Sequence, residues 1–288
     1  MRCLFILLCL ASAHAQVFSL TKEQLVKYTS KSPFERFADG RPKVPDALLE
    51  KARGLSVEEV WQVLPGKGFP NQYEGNWQLL HPGRKLVGRA VTAQFMPLRP
   101  DVADTILAEG KEKGYTGSQN QWVIDTLQAG DVLVVDLFGK QESGSFVGDN
   151  LATAVFAATK TGFVIDGSIR DLEGIFPIDM AAYFRAAHPS ALSNVMLTGV
   201  NIPVRIGNAT VMPGDVVFGD RTGVYFIPPH LLGDILKRAE VTHIHDEWTK
   251  EKFRMGNYKS SDLYSRPRDP ALLKEYEEYL KKRLEGAK

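Results

Sequence analysis

The order of residue patterns along the chain predicts an α/β fold built around a parallel sheet, and three runs carry that reading. Residues 131–137 (DVLVVDL) follow the Ala129-Gly130 turn as a β-branched and leucine run, the mark of a buried strand. Asp149 and Asn150, both N-cap types, precede the Ala-rich residues 151–160, whose small side chains suit a helix packed closely on a sheet. Residues 163–165 give a second strand. Strand, glycine loop, helix, strand is a βαβ unit, and its two strands run parallel.

Residues 1–15 (MRCLFILLCLASAHA) combine one arginine, an apolar run and a small-x-small sequence at Ala13-His14-Ala15, the form of a signal peptide for export to the periplasm or the extracellular space. Both cysteines, Cys3 and Cys9, lie in it, so the mature chain is expected to have no disulfide, cysteine nucleophile or zinc-thiolate site. Residues 16–54 read as an N-terminal helical extension over the core, with a helix at 45–51. Ser56 with Glu59 forms a capping box for a helix over 56–64, which would place Trp61 and Leu64 on one face. A strand at 86–95 leads into an insert, residues 96–127, whose polar tip at 110–121 reads as a mobile loop over substrate or at a subunit contact.

Beyond the βαβ helix, Thr161-Gly162 is expected to stop it with glycine in the left-handed conformation. Asp166-Gly167 is expected to turn the second strand towards Ile169, Arg170 and Asp171. Arg185 and His188 lie in an aromatic and proline-bearing segment, where they could meet a distal substrate carboxylate, act as an acid, or belong to a surface turn. His243 and His245 point to different faces of a helix, which excludes them as a ligand pair. Residues 265–288 form an amphipathic helix that needs a partner, either its own domain or a neighbouring subunit.

The 44% apolar and 24% charged composition supports a full core. The leader holds one of the 35 basic side chains, Arg2, so the remainder matches the 34 acidic ones. That balance carries no electrostatic footprint for nucleic acid or an anionic membrane.

In a βαβ unit the loop entering the helix and the loop leaving the second strand share one sheet edge, where ligands bind. There the amides of Gly148, Asp149, Asn150 and Leu151 can hold a carboxylate, and Arg170 adds a two-pronged donor for the same anion. Asp149 and Asp171 offer hard oxygens to Mg²⁺ or Mn²⁺. The bland alternatives are a helix cap for the Gly-Asp pair and a surface salt bridge for the Arg-Asp pair.

Asp149, twenty intervening residues and then Arg170-Asp171 form a signature that resembles the RraA-like family, which includes metal-dependent 4-hydroxy-4-methyl-2-oxoglutarate aldolases and regulators of ribonuclease E activity. Residues 86–92 (LVGRAVT), 129–136 (AGDVLVVD), 202–207 (IPVRIG) and 213–228 (PGDVVFGDRTGVYFIP) extend the likeness over residues 55–264. The resemblance implies a swivelling β/β/α sandwich, a homotrimer or hexamer, and Mg²⁺ or Mn²⁺ as cofactor. It implies that Arg170 binds the substrate carboxylate, Asp171 ligates the metal and Asp149 holds a metal-bound water. It also implies acidic ligands from a neighbouring subunit, for which Glu247 and Glu251 are the matches. The implied activity is a lyase releasing pyruvate from a 4-hydroxy-2-oxo acid, with oxaloacetate decarboxylation as a side activity. The alternatives are a non-catalytic binding or regulatory protein and a Schiff-base aldolase using Lys160.

Overall fold

In chain order the strands are β1 Tyr73–Glu74, β2 Gln78–Leu79, β3 Leu86–Pro97, β4 Asp131–Ser145, β5 Gly162–Ile169, β6 Ala181–Ala187, β7 Val195–Val200, β8 Val204–Ile206, β9 Ala209–Val211, β10 Val216–Gly219 and β11 Val224–Ile227. The helices are α1 Lys22–Tyr28, α2 Asp46–Ala52, α3 Val57–Trp61, α4 Pro100–Glu112, α5 Gln119–Ile124, α6 Asp149–Thr159, α7 Leu172–Ile175, α8 Leu232–Arg254, α9 Ser260–Leu263 and α10 Pro270–Gly286. This computed structural model describes residues 19–286, so the leader expected at 1–15 lies outside the described residues.

Strands β3, β4, β5 and β6 run parallel through the middle of the molecule. Their apolar residues suit burial on both faces. Antiparallel β10, β11 and β1 extend one side and β2 the other, while β7 pairs with the far half of β3. Side chains alternate across the sheet. On one face Leu133, Val135, Phe163 and Ile165 meet α4 to α7. Further along that face, Val87, Val216 and Phe218 meet α2, α3 and α8. On the opposite face Val132, Val134 and Val164 pack against the small antiparallel ribbon of β8 and β9. Helices, main sheet and ribbon are the three layers of the expected sandwich.

Several local expectations are corrected. Lys160, not a glycine, takes the left-handed conformation at the end of α6, with φ 59°, and its amide donates to Phe156 O. Gly162 instead starts β5 where β6 passes so close that a Cβ would collide with Ala181 O. Asp166-Gly167 is no turn: β5 continues to Ile169 and absorbs its irregularity as a register shift against β4. Helix α3 stops at Trp61, so helical spacing does not reach Leu64; Trp61 is exposed while Leu64 is fully buried.

The insert is mostly helical, and of its expected loop tip at 110–121 only residues 113–118 lie between helices. It folds into α4 and α5, and α5 buries Trp122, Val123 and Ile124 in the core. Its start is set by Ser118 and Gln121, a capping box in the polar stretch.

Both extensions dock on the chain itself. Arg41 lies buried against Asp131 at the start of β4, with Nη1 to Oδ1 3.0 Å. The partner that α10 needs is α8, met through Trp248, Leu272 and Tyr276. Among the described residues no helix is long and apolar enough to cross a membrane.

Candidate functional site

The end of β4 and the end of β5 build the site together. Phe146 N–H donates to Ser168 O at 3.0 Å, and Arg170 N–H donates to Val147 O at 3.1 Å. These two bonds zip the loop before α6 onto the tail of β5 and set Gly148 beside Arg170 and Asp171. The approach is close enough that a Cβ on Gly148 would collide with Oδ2 of Asp171 and sit 3.2 Å from Nε of Arg170. Only glycine leaves space there.

Asp171 has φ 57° and ψ 43°, the left-handed region, which aspartate tolerates better than most residues. Its carbonyl accepts from Gly174 N and Ile175 N and so starts α7. Its carboxylate stays exposed, with Oδ2 3.3 Å from Arg170 Nε. A pair this open to water contributes about 0–1 kcal/mol. Stability is therefore a poor reason for the arrangement.

The other arginines packed at the sheet contrast with Arg170. Arg185 is held by Asp166 (2.6 Å), Glu74 (2.8 Å) and Gly75 O (2.8 Å), and lies over the Trp77 ring. Arg41 is held by Asp39 and Asp131, and Arg89 by Asp46, Val44 O and Ala129 O. Arg170 meets only the Asp171 carboxylate among the described residues, leaving its terminal nitrogens for an anion. The first-turn amides of α6 point the same way as any helix start, with no carbonyl upstream to receive them. One is already taken, because Asn150 N–H donates to Asp149 Oδ1 at 2.8 Å. Asp149 packs on Gly174, where a Cβ would come within 2.7 Å of its Oδ2.

A cavity of about 460 Å³ opens at this edge. Gly148, Leu151 and Arg170 of the expected residues line it; Asp149, Asn150 and Asp171 stand outside its lining. Ser145 and Phe146 supply the floor, and the insert supplies a wall that includes Leu98, Leu107, Ser118, Gln119 and Asn120. These insert residues were invisible in the sequence pattern except through the Ser118 capping box. Two hydrogen bonds pin the wall: Asn120 Nδ2 donates to Phe146 O at 2.7 Å, and Leu197 N–H donates to Gln119 Oε1 at 2.8 Å.

The remaining candidates lie elsewhere. Arg185 is spent on its carboxylates and is not available to a distal substrate group, which corrects that expectation. His188 bonds Ser190 Oγ through Nδ1 at 2.8 Å, and its carbonyl accepts from Ser145 Oγ at 2.7 Å. Lys160 caps α6 beside the Phe156 ring. Glu247 and Glu251 sit on α8, where the Arg283 guanidinium and then the Tyr279 hydroxyl hold the Glu247 carboxyl below the usual range. Their expected role concerns a neighbouring subunit's site.

Among the described residues no three of His, Cys, Asp and Glu converge on one point. The exposed carboxylate of Asp171 and the half-buried one of Asp149 fit a hard ion that keeps most of its waters, as Mg²⁺ does, better than one enclosed by protein ligands. The arrangement as a whole can hold a small anion at Arg170 and the α6 start, next to such an ion.

Comparison with known proteins gives the family and the fold. The RraA-like description, Aldolase/RraA, matches residues 62–226. A protein of Halalkalibacterium halodurans with the provisional name 4-hydroxy-4-methyl-2-oxoglutarate aldolase is 31% identical over 163 residues, 54% of this chain and 75% of that one. Protein DlpA of Legionella pneumophila is 25% identical over 217 residues, but the match spans only 32% of its length. Among solved structures, RraAS2 of Streptomyces coelicolor, described as an unusual member of the RNase ES inhibitor RraA protein family, superposes with a TM-score of 0.61 at 27% identity, covering 74% of this chain and 99% of that one. An uncharacterised protein from Pseudomonas syringae gives 0.62 at 22% identity over 78% of this chain and 94% of its own, a likeness of fold. With residues 62–226, more than half of its length, matched, the chain belongs to the RraA-like family.

Proposed function

We propose that the chain is a divalent-metal-dependent lyase that releases pyruvate from a 4-hydroxy-2-oxo acid. The observation that carries this reading is the unspent guanidinium of Arg170, held against Gly148 and the open carboxylate of Asp171 at the mouth of a cavity. The relatives named as aldolases support it.

In this reading Arg170 and the amides of Asp149 and Leu151 grip the substrate carboxylate. Asp171 would hold Mg²⁺ or Mn²⁺ directly and Asp149 through a water. When bound, the ion supplies Lewis-acid polarisation of the 2-oxo group. The C4 hydroxyl gives its proton to a water positioned by Asp149, the C3–C4 bond breaks, and its electron pair moves into the 2-oxo group as an enolate. Arg170 would meet that growing negative charge as a donor. Protonation at C3 gives pyruvate, and loss of carbon dioxide from oxaloacetate reaches the same enolate.

The reading extends to a homotrimer or hexamer in which Glu247 and Glu251 of a neighbouring subunit approach the metal waters, and to export with cleavage after Ala15. Sedimentation, the Glu251→Gln variant and the mass of the exported chain test those parts.

The deciding experiment is pyruvate release from 4-hydroxy-4-methyl-2-oxoglutarate and from oxaloacetate, in Mg²⁺ and in EDTA. Release is expected in Mg²⁺ alone and is expected to be lost in Asp171→Ala. Arg170→Ala is expected to lower kcat/KM by about two orders of magnitude, the scale of a lost charge-stabilising donor. Activity that survives both EDTA and Asp171→Ala would sink the proposal, and a borohydride-trapped pyruvate adduct on Lys160 would replace it with the Schiff-base route.

A further inference from the structure

Beyond Arg170 the cavity changes character. Phe95, Leu98, Leu107, Leu151 and Leu192 are the large apolar side chains of its lining, and Arg170 is the one charged side chain there among the described residues. The polar groups present are neutral, and several are already engaged. Asn120 Nδ2 donates to Phe146 O while its Oδ1 accepts from Ser118 Oγ at 2.6 Å and from Gln121 N at 3.1 Å; Gln119 Oε1 accepts from Leu197 N. Two further arginines stand outside that lining. Arg185 is held by Asp166 and Glu74, and Arg99 is gripped by both oxygens of Asp101 at 2.9 and 3.0 Å.

A substrate with a second carboxylate would thus bring a charge among large apolar side chains with no cation of the described lining to meet it. Burying an unpaired charge is costly, whereas an alkyl or aryl group in the same place gains from leaving water. The cavity's 460 Å³ also lies within the range of small-molecule sites, about 300–1,000 Å³, and so exceeds the needs of a three-carbon acid.

We propose that the insert makes this a site for 2-oxo monoacids with an apolar, uncharged distal group, and that it disfavours dicarboxylates of the 4-hydroxy-4-methyl-2-oxoglutarate kind. The proposal deepens the lyase reading and rests on it for the position of the substrate carboxylate. Leu107, half-exposed on α4, is the position from which a cation could be introduced at the wall.

The test is calorimetric binding of 2-oxohexanoate and 2-oxoglutarate to the full mature chain in Mg²⁺, together with pyruvate release from 4-hydroxy-2-oxo acids bearing a distal alkyl group or a distal carboxylate. The parent is expected to favour the monoacid by about tenfold or more, the scale at which one apolar group discriminates. Leu107→Arg is expected to shift the ratio at least tenfold towards the diacid. Equal or tighter binding of 2-oxoglutarate by the parent overturns the proposal, even if pyruvate is released from dicarboxylates and the lyase reading stands. A monoacid preference in binding without pyruvate release from any substrate upholds the selectivity and removes the lyase reading. Binding of neither acid overturns both.

Discussion

Gly148 is the residue on which the site's geometry turns, because any side chain there would displace the Asp171 carboxylate and crowd Arg170. Gly148→Ala is therefore expected to leave a folded protein, since the position lies at a loop, yet to weaken 2-oxo acid binding by about a hundredfold, the magnitude of a lost anion-hole donor. Calorimetry with 2-oxohexanoate beside a thermal melt separates the two effects; unchanged binding would show that the close approach is incidental. Gly148, Asp149, Arg170 and Asp171 were legible because their spacing along a βαβ unit puts two loops at one sheet edge. Arg185 misled because nothing in its local sequence reveals Asp166 and Glu74, which reach it from β5 and β1. Availability of a charge is a tertiary property.

Among the elements, the insert is the one whose nature the sequence concealed. Its polar and glycine-containing tip matched loop composition, yet Trp122, Val123 and Ile124 next to a capping box were enough to fold α5 into the core. Removing its anchor by Asn120→Ala leaves Phe146 O without its buried partner, at an expected cost of about 1–3 kcal/mol. The variant's denaturant midpoint reads that cost, and a rise in KM for apolar substrates is expected with it. The N-terminal extension is fastened by a harder device. Arg41 and Asp131 are buried together, so Arg41→Ala strands a carboxylate in the core and is expected to destabilise by about 3–5 kcal/mol. A loss below 1 kcal/mol in urea unfolding would mean that water relieves Asp131.

For the whole molecule, the parallel strands followed from apolar runs alternating with helix patterns, the layer order from the family resemblance, and the extensions from the chain's length. Where the extensions dock did not, because Arg41 to Asp131 and α10 to α8 are contacts between distant parts of the chain. One consequence of the tight central packing is electrostatic. Asp215 is wholly buried, and burial pushes its carboxyl up to about 7 against the lowering effect of the Met212 N–H. Its folded value exceeds the unfolded one, so its contribution to stability is complete below about pH 4 and is lost as pH rises through about 7. Between pH 5 and pH 8 the parent is expected to lose about 2–3 kcal/mol from this group. Asp215→Asn is expected to flatten that slope, which Tm measured across the same interval would reveal.

The hydrogen bonds of Gln119 and Asn120 hang the insert on β7 and on the floor of the cavity, while the proposed anion grip belongs to the loops around α6. Chemistry and appetite thus have separate owners. The leucines at 98 and 107 lie apart in sequence from the loops proposed to grip the acid, so a library confined to those two positions would search for new substrates while leaving the proposed chemistry in place.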